Sequence, residues 1–271
     1  MPGRLHARVA LVTGAGTGIG QALAIRFARE GARVAINYHQ NAEGARRTLD
    51  QVRAAGGEGE VFQADLRAAG AARDLVERAA DCFGRLDVLV NNSGITSWGS
   101  FLDYTEADFD NVVNTNLKGS YFTSQAAARR FIQQATPGRI VLVSSLVGVN
   151  AVPYLSAYSM TKAGLRMLAR SLGLELGRYA ITVNAIGVGP TLNERNLRDD
   201  PEYDAHWGAV VPLGRAATTD DVASAAVYLC SDEASYVTGA TLMVDGGWST
   251  YGPTPQFDFL EDHTGVEGGT R

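Results

Sequence analysis

Apolar residues along this chain follow two alternating rhythms. Arg8–Thr13, Arg33–Asn37, Glu60–Ala64, Asp87–Asn91, Arg139–Ser144, Ile181–Ala185 and Thr241–Val244 are short apolar runs, several rich in β-branched residues, and read as strands covered on both faces. Between them Gln21–Glu30, Ala42–Ala55, Arg73–Phe83, a segment from Glu106 onward, Tyr158–Arg178 and Asp220–Leu229 carry helical spacing. Gly31 stops the first helix and the pair Gly56, Gly57 the second. Strands separated by single helices need right-handed crossovers. The pattern therefore predicts an α/β chain, a three-layer doubly wound parallel sheet with helices on both faces, as a single domain over residues 1–250. Two stretches break the rhythm. Gly187–Pro212 is rich in polar and turn residues and too long for a plain connection, so it is read as a lid over a substrate cleft. Residues 251–271 read as an exposed C-terminal tail, yet Phe257, Phe259 and Leu260 are unfavourable in water and should pack on the chain's own body or on a neighbouring subunit.

Composition narrows the classes. With 45% hydrophobic and 20% charged residues over 271 positions, the chain can bury a sizeable core. A net charge of −5 argues against nucleic acid or an anionic membrane as the main partner. Cys82 and Cys230 stand far apart, and no His, Cys and carboxylate spacing marks a metal site, so no metal is expected. The opening residues Met1 to His6 lack the apolar core of a signal peptide, and no uncharged run reaches membrane length. A cytoplasmic, reducing location is expected.

Candidate chemistry lies in the stretch Ser145–Lys162. Tyr158 and Lys162 are four apart in a helical segment, so a phenol and an ammonium share one face. A nearby positive charge favours the phenolate form, which would let Tyr158 act as a proton acceptor. Ser145, at the tip of an apolar run, could offer a hydroxyl to the same reacting oxygen. The glycine-rich turn Thr13–Gly20 falls between the first strand and the first helix, where Gly14, Thr17, Gly18, Ile19 and Gly20 would bring backbone N–H groups and a helix N-terminus onto a diphosphate. A carboxylate at the end of the second strand would bind the ribose hydroxyls of NAD and repel a 2′-phosphate. The residues there are Asn37, Tyr38 and His39, so NADP is the expected cofactor, with NAD the alternative.

Thr13–Gly20, the run Asn91 to Gly94, Asn116, Ser145 and the Tyr158/Lys162 pair occur in one order and spacing, and together the chain resembles the short-chain dehydrogenase/reductase superfamily, a single-domain Rossmann fold. The resemblance spans residues from about 5 to Gly247. It implies that Tyr158 is the catalytic acid/base, that Ser145 bonds the substrate oxygen, and that Lys162 tunes Tyr158 and holds the nicotinamide ribose. Asn116 would position a water linking Lys162 to solvent. Asp65 and Leu66 would flank adenine, Asn92 and Gly94 would meet the adenosine ribose and support the sheet, and backbone at Val188 and Thr191 would bind the carboxamide. Gly187 to Gly189 depart from the family's usual Pro-Gly, which puts that loop's stiffness in question. The implied activity is hydride transfer between a nicotinamide and a carbon bearing hydroxyl or carbonyl. Thr96, Ser97, Trp98, Leu146, Asn150, Tyr154 and the lid residues Asn193, Glu194, Arg195, His206 and Trp207 form the expected pocket. Its polar groups and indoles suit a sugar, and Ala35–His39 resembles bacterial aldose 1-dehydrogenases, so oxidation of an aldose at C1 to its lactone is the expected reaction; Arg195 also admits an anionic sugar, or a lid ion pair with Glu194 or Asp199. The alternatives are a 3-oxoacyl-thioester reductase and a non-catalytic nucleotide-sensing regulator. The family also implies a homotetramer built through the helices of Asn116 and Tyr158 and the last strand.

Overall fold

The computed structural model describes residues 2–250, so the stretch read as a tail lies outside the described residues. Strands β1 (Val9–Val12), β2 (Arg33–Tyr38), β3 (Gly59–Gln63), β4 (Val88–Asn91), β5 (Gly138–Ser145), β6 (Ile181–Val188) and β7 (Thr241–Val244) form one parallel sheet. Its order is β3-β2-β1-β4-β5-β6-β7. Helices α1 (Gly18–Arg29), α2 (Ala42–Ala54), α3 (Ala69–Phe83), α4 (Glu106–Val113), α5 (Gly119–Gln133), α6 (Ser156–Leu176), α7 (Glu194–Asp199), α8 (Tyr203–Gly208) and α9 (Thr219–Cys230) connect the strands. The three-layer reading therefore holds.

Because alternate strand residues point to opposite faces, each strand feeds two cores. Ala10, Val12, Val34 and Ile36 pack with Leu23 and Phe27 of α1, Leu49 of α2 and Val227 of α9. Val9, Leu11, Leu89 and Ile140 pack with Leu75 of α3, Phe131 of α5 and Leu165 of α6. Strand order reverses between β1 and β4, which opens a crevice at the carboxyl ends of the strands. No helix among the described residues is long and apolar enough to cross a membrane.

Several boundaries move. α3 begins at Ala69, four residues before the expected Arg73, because its N-cap is Ala68, which makes no side-chain cap bond and so leaves no polar start signal. The long segment from Glu106 is interrupted by a π-helical turn, Asn114–Lys118, between α4 and α5. β6 continues to Val188, since Ser144 pairs with Gly187 and Ser145 with Val188. The lid thus begins after Val188 and is not irregular, containing α7 and α8. Where the sequence put stiffness in question, backbone bonds hold the loop: Gly189 N donates to Val244 O at 2.9 Å and Ala217 N to Pro190 O at 2.8 Å.

Candidate active site

The turn between β1 and α1 is shaped by groups that leave no room for side chains. Gly14 has φ +62°, and a Cβ there would lie 2.9 Å from Ser93 Oγ. A Cβ on Gly20 would sit 2.3 Å from Gly14 O and 2.5 Å from Asn92 Nδ2. Asn92 Nδ2 donates to the carbonyls of Thr13 and Gly14 at 3.0 and 3.1 Å, so it ties the turn to the end of β4. Gly14, Thr17, Gly18, Ile19, Gly20, Asn92 and Gly94 line a cleft of about 760 Å³ with the amino end of α1 facing it. Bare backbone N–H groups and a positive helix end fit the diphosphate of a dinucleotide.

The same cleft receives Ser145, Tyr158 and Lys162. Tyr158 and Lys162 lie on adjacent turns of α6, with Lys162 Nζ 5.4 Å from the centroid of the Tyr158 ring. Lys162 is buried, and its ammonium donates to Val143 O at 2.8 Å. Ser144 also borders the cleft, but its Oγ donates to Lys162 O at 2.7 Å, so of the two serines it is Ser145 whose hydroxyl is not given to a backbone carbonyl. Ser145 Oγ receives only a long bond, from Val147 N at 3.4 Å. Asn116 sits in the π turn, fully buried, and does not line the cleft. Its Oδ1 accepts from Ile95 N at 2.8 Å, and its Nδ2 donates to Ile95 O at 3.0 Å and Thr161 Oγ1 at 3.2 Å. A Cβ on Gly94 would lie 3.3 Å from Asn116 Oδ1 and 3.4 Å from Lys162 Nζ, so both groups border the space over that glycine.

At the adenosine end the structure redraws the expected set. Asn37 is buried behind the glycine turn: Oδ1 accepts from Gly14 N at 3.2 Å, and Nδ2 donates to Tyr38 O and Phe62 O, each at 3.2 Å. It braces the turn and does not face the cleft. Tyr38 is half-buried against the core. His39, Asp65 and Leu66 do line a second recess, of about 340 Å³, that meets the first at Gly14 and Gly94. Arg67, which the sequence reading missed, joins them and pairs with Asp65 at 2.7 Å, while His39 Nε2 stands 3.6 Å from the same carboxylate. The Arg67 hydrogen bond, the largest favourable influence, holds the Asp65 carboxyl below its ordinary range.

The rest of the cleft is lined by Thr96, Trp98, Leu146, Val188, Thr191, Asn193, Arg195 and Trp207, as expected, and adds Asn196, Asp199, Asp200 and Tyr203. Asn150, Ser97, Tyr154, Glu194 and His206 do not line it. Asn150 Nδ2 instead donates to Ser249 O at 3.4 Å, and His206 pairs with Asp200 at 2.9 Å on the outside of the lid. Tyr203 and Trp207 are one turn apart on α8, their rings 6.0 Å apart, and Trp207 meets Trp248 at 6.4 Å. That four-residue aromatic spacing was the signal available for Tyr203. Burial pushes the Tyr203 phenol up from its ordinary value, and the ring lines the cleft together with the apolar Val152 and Leu155. The set Ser145, Tyr158 and Lys162 can thus exchange a proton with an oxygen held at the mouth of a dinucleotide crevice.

Comparison with known proteins agrees with this layout. The family model described as enoyl-(acyl carrier protein) reductase matches residues 14–249. L-rhamnose 1-dehydrogenase (NAD(P)(+)) of Azotobacter vinelandii is 42% identical over 245 residues, 89% of this chain and 96% of that protein. The enzyme of the same name from Sphingomonas sp. is 40% identical over 90% of this chain and 96% of its own length. Among solved structures, one from Agrobacterium tumefaciens with bound NADP superposes with a TM-score of 0.82 at 34% identity, covering 91% of this chain and 98% of that one.

Proposed function

The chain belongs to the short-chain dehydrogenase/reductase family, and on that footing we propose that it is an NAD(P)-dependent dehydrogenase that oxidises an aldose at C1 to the lactone. The observation that carries the proposal is the arrival of Ser145, Tyr158 and Lys162 in the cleft that the glycine turn opens. Two relatives at 40 and 42% identity that act on L-rhamnose at C1 support a sugar as the substrate. So does the pocket, which sets indoles and polar groups against a short apolar wall. NADP and NAD are both accepted in this reading, in line with the names of those relatives and the NADP held by the structural neighbour.

When bound, the coenzyme supplies a hydride acceptor at C4 of its nicotinamide ring. Gly14, Gly18 and Gly20 with the end of α1 would hold its diphosphate, and backbone around Val188 and Thr191 would hold the carboxamide. Ser145 donates to the sugar's C1 oxygen, and Tyr158 takes the proton from that hydroxyl as the C–H bond breaks. Lys162, one turn on, sets its ammonium beside the Tyr158 ring, where a positive charge favours the anionic oxygen that receives the proton. Asn116 acts on the geometry: it clamps Ile95 to Thr161 and so fixes the floor over which Lys162 extends. A homotetramer in the cytoplasm completes the reading, with Met160, Met167 and Leu174 of α6, all exposed in the single chain, as surface for a neighbour to cover; sedimentation and cell fractionation measure both.

Incubation with NADP or NAD and L-rhamnose, other aldoses, a polyol, a 3-oxo ester and a hydroxysteroid, followed by nicotinamide absorbance, tests the substrate. Turnover should be confined to aldoses. Turnover of the 3-oxo ester alone would assign the chain to acyl-thioester reduction, and tight coenzyme binding without any turnover would make it a nucleotide sensor. Tyr158→Phe should lower kcat by at least about a hundredfold while the coenzyme Kd stays within twofold.

A further inference from the structure

The cleft must take a coenzyme whose diphosphate carries two negative charges, yet the glycine turn offers no cation. Among the described residues that line it, only Lys162 and Arg195 are basic. Lys162 is committed to Val143 O, deep at the catalytic end. Arg195 stands in the first turn of α7, is exposed, and among the described residues bonds only its neighbour Asn196, at 3.2 and 3.4 Å. The ion pair with Glu194 or Asp199 that the sequence admits does not form among the described contacts. Asp199 pairs with Arg198 at 3.4 Å and Asp200 with His206 at 2.9 Å, so the lid's two cleft acids have other partners. The lid also lies against the turn itself: a Cβ on Gly18 would come within 3.7 Å of Asn193 Cβ, and Asn193 caps α7 by accepting from Asn196 N at 3.0 Å.

From this geometry we infer that Arg195 is the coenzyme's diphosphate clamp, a cation brought by the lid to the face of the diphosphate opposite the helix α1 end. The inference rests on the dinucleotide reading given above. Backbone N–H groups and the helix end hold one side of the diphosphate, and a guanidinium fork on the other side matches phosphate oxygens in pairs. Coenzyme binding would then hold the start of the lid, next to Thr191, against the turn before the sugar is engaged. This assigns Arg195 to the coenzyme and takes it away from an anionic group on the sugar.

Calorimetric titration of the full chain with NADH and with ADP-ribose, which keeps the diphosphate and lacks nicotinamide, tests the inference without any turnover. Arg195→Met should weaken both by about tenfold, with the difference shrinking at high salt, and Arg195→Lys should restore part of the loss. Because Arg195 is exposed and its hydrogen bonds among the described residues go only to the adjacent Asn196, the thermal midpoint should not move. The KM for a neutral aldose at saturating coenzyme should stay within about twofold. Unchanged ADP-ribose affinity in Arg195→Met would overturn the inference, and if the KM for an aldonate or uronate rose instead, Arg195 would belong to the sugar. Failure of the unaltered chain to bind either dinucleotide would overturn the coenzyme reading and this inference with it.

Discussion

Asn37 separates a coenzyme-reading role from a bracing one, because the two roles predict opposite behaviour on conversion to aspartate. At the end of β2 a carboxylate would be expected to grip the ribose of NAD and repel a 2′-phosphate. In the structure, however, Asn37 Oδ1 meets one donor, Gly14 N, while Nδ2 faces the carbonyls of Tyr38 and Phe62 at 3.2 Å and of Ala64 at 3.5 Å. Asn37→Ala deletes these bonds and strands buried polar groups; at about 1 kcal/mol for each bond and more for each group left unpaired, roughly 2–4 kcal/mol of stability should be lost. For a chain of this size that lowers the thermal midpoint by about 4–12 °C. Asn37→Asp keeps the shape but turns an acceptor toward three carbonyl oxygens. Burial and those dipoles raise the introduced carboxyl's folded pKa above its unfolded value of about 3.9, so it folds carrying a proton. The sign follows: a carboxyl whose pKa rises on folding contributes fully below the unfolded pKa and loses about 1.4 kcal/mol for each pH unit above it, until the folded pKa is reached. Urea melts at pH 5 and pH 8 should show Asn37→Asp losing far more between the two than the unaltered chain, with the ratio of NADP to NAD affinity little changed. A stable, pH-insensitive Asn37→Asp that swings to NAD would refute the bracing role.

Two further outcomes follow from groups outside the cleft. Asp221 closes a capping box with Thr218 at the start of α9 and is depressed to about 2, first by its hydrogen bond with Arg215. A depressed carboxyl stabilises above its unfolded pKa, so this contribution should fade as pH falls from about 4 toward 2; because the side chain is a third exposed, screening leaves about 1 kcal/mol, measurable as the loss in Asp221→Asn at pH 7. Of the two thiols, Cys82 is exposed while full burial pushes Cys230 up to about 12, so iodoacetamide at neutral pH should label one cysteine in the folded chain and both in urea, as read by mass spectrometry.

What the sequence made legible was whatever rests on local period and fixed spacing. Alternation of short apolar runs with helical segments was enough for the layer architecture, because a parallel strand buried on both faces admits little else. The Tyr158/Lys162 interval is set by one helical turn, and Ser145 by the end of a strand, so both could be placed without coordinates. Helix starts were harder where the cap is apolar, as at Ala68. Strand ends were harder where pairing with a neighbour extends them, as in β6 from Ala185 to Val188.

The positions that escaped were those whose role depends on which neighbour takes their hydrogen bonds. Asn37 and His39 are two apart on one strand and looked alike as ribose readers, yet a strand turns them to the same side only while it stays regular. β2 ends at Tyr38, Asn37 is still within the ladder where Gly14, Phe62 and Ala64 compete for its amide, and His39 has already left it for the recess with Asp65. The direction of the Asn116 side chain was likewise not legible: the π turn that carries it inserts an extra residue into the helical repeat, so a period of 3.6 does not give it, and its amide is claimed by Ile95 and Thr161. In both cases an asparagine offering one acceptor and two donors satisfies backbone that the active site would otherwise leave unpaired. That makes the loops around the cleft rigid enough for glycine backbone at Gly14 and Gly94 to approach a ligand without side chains to guide it.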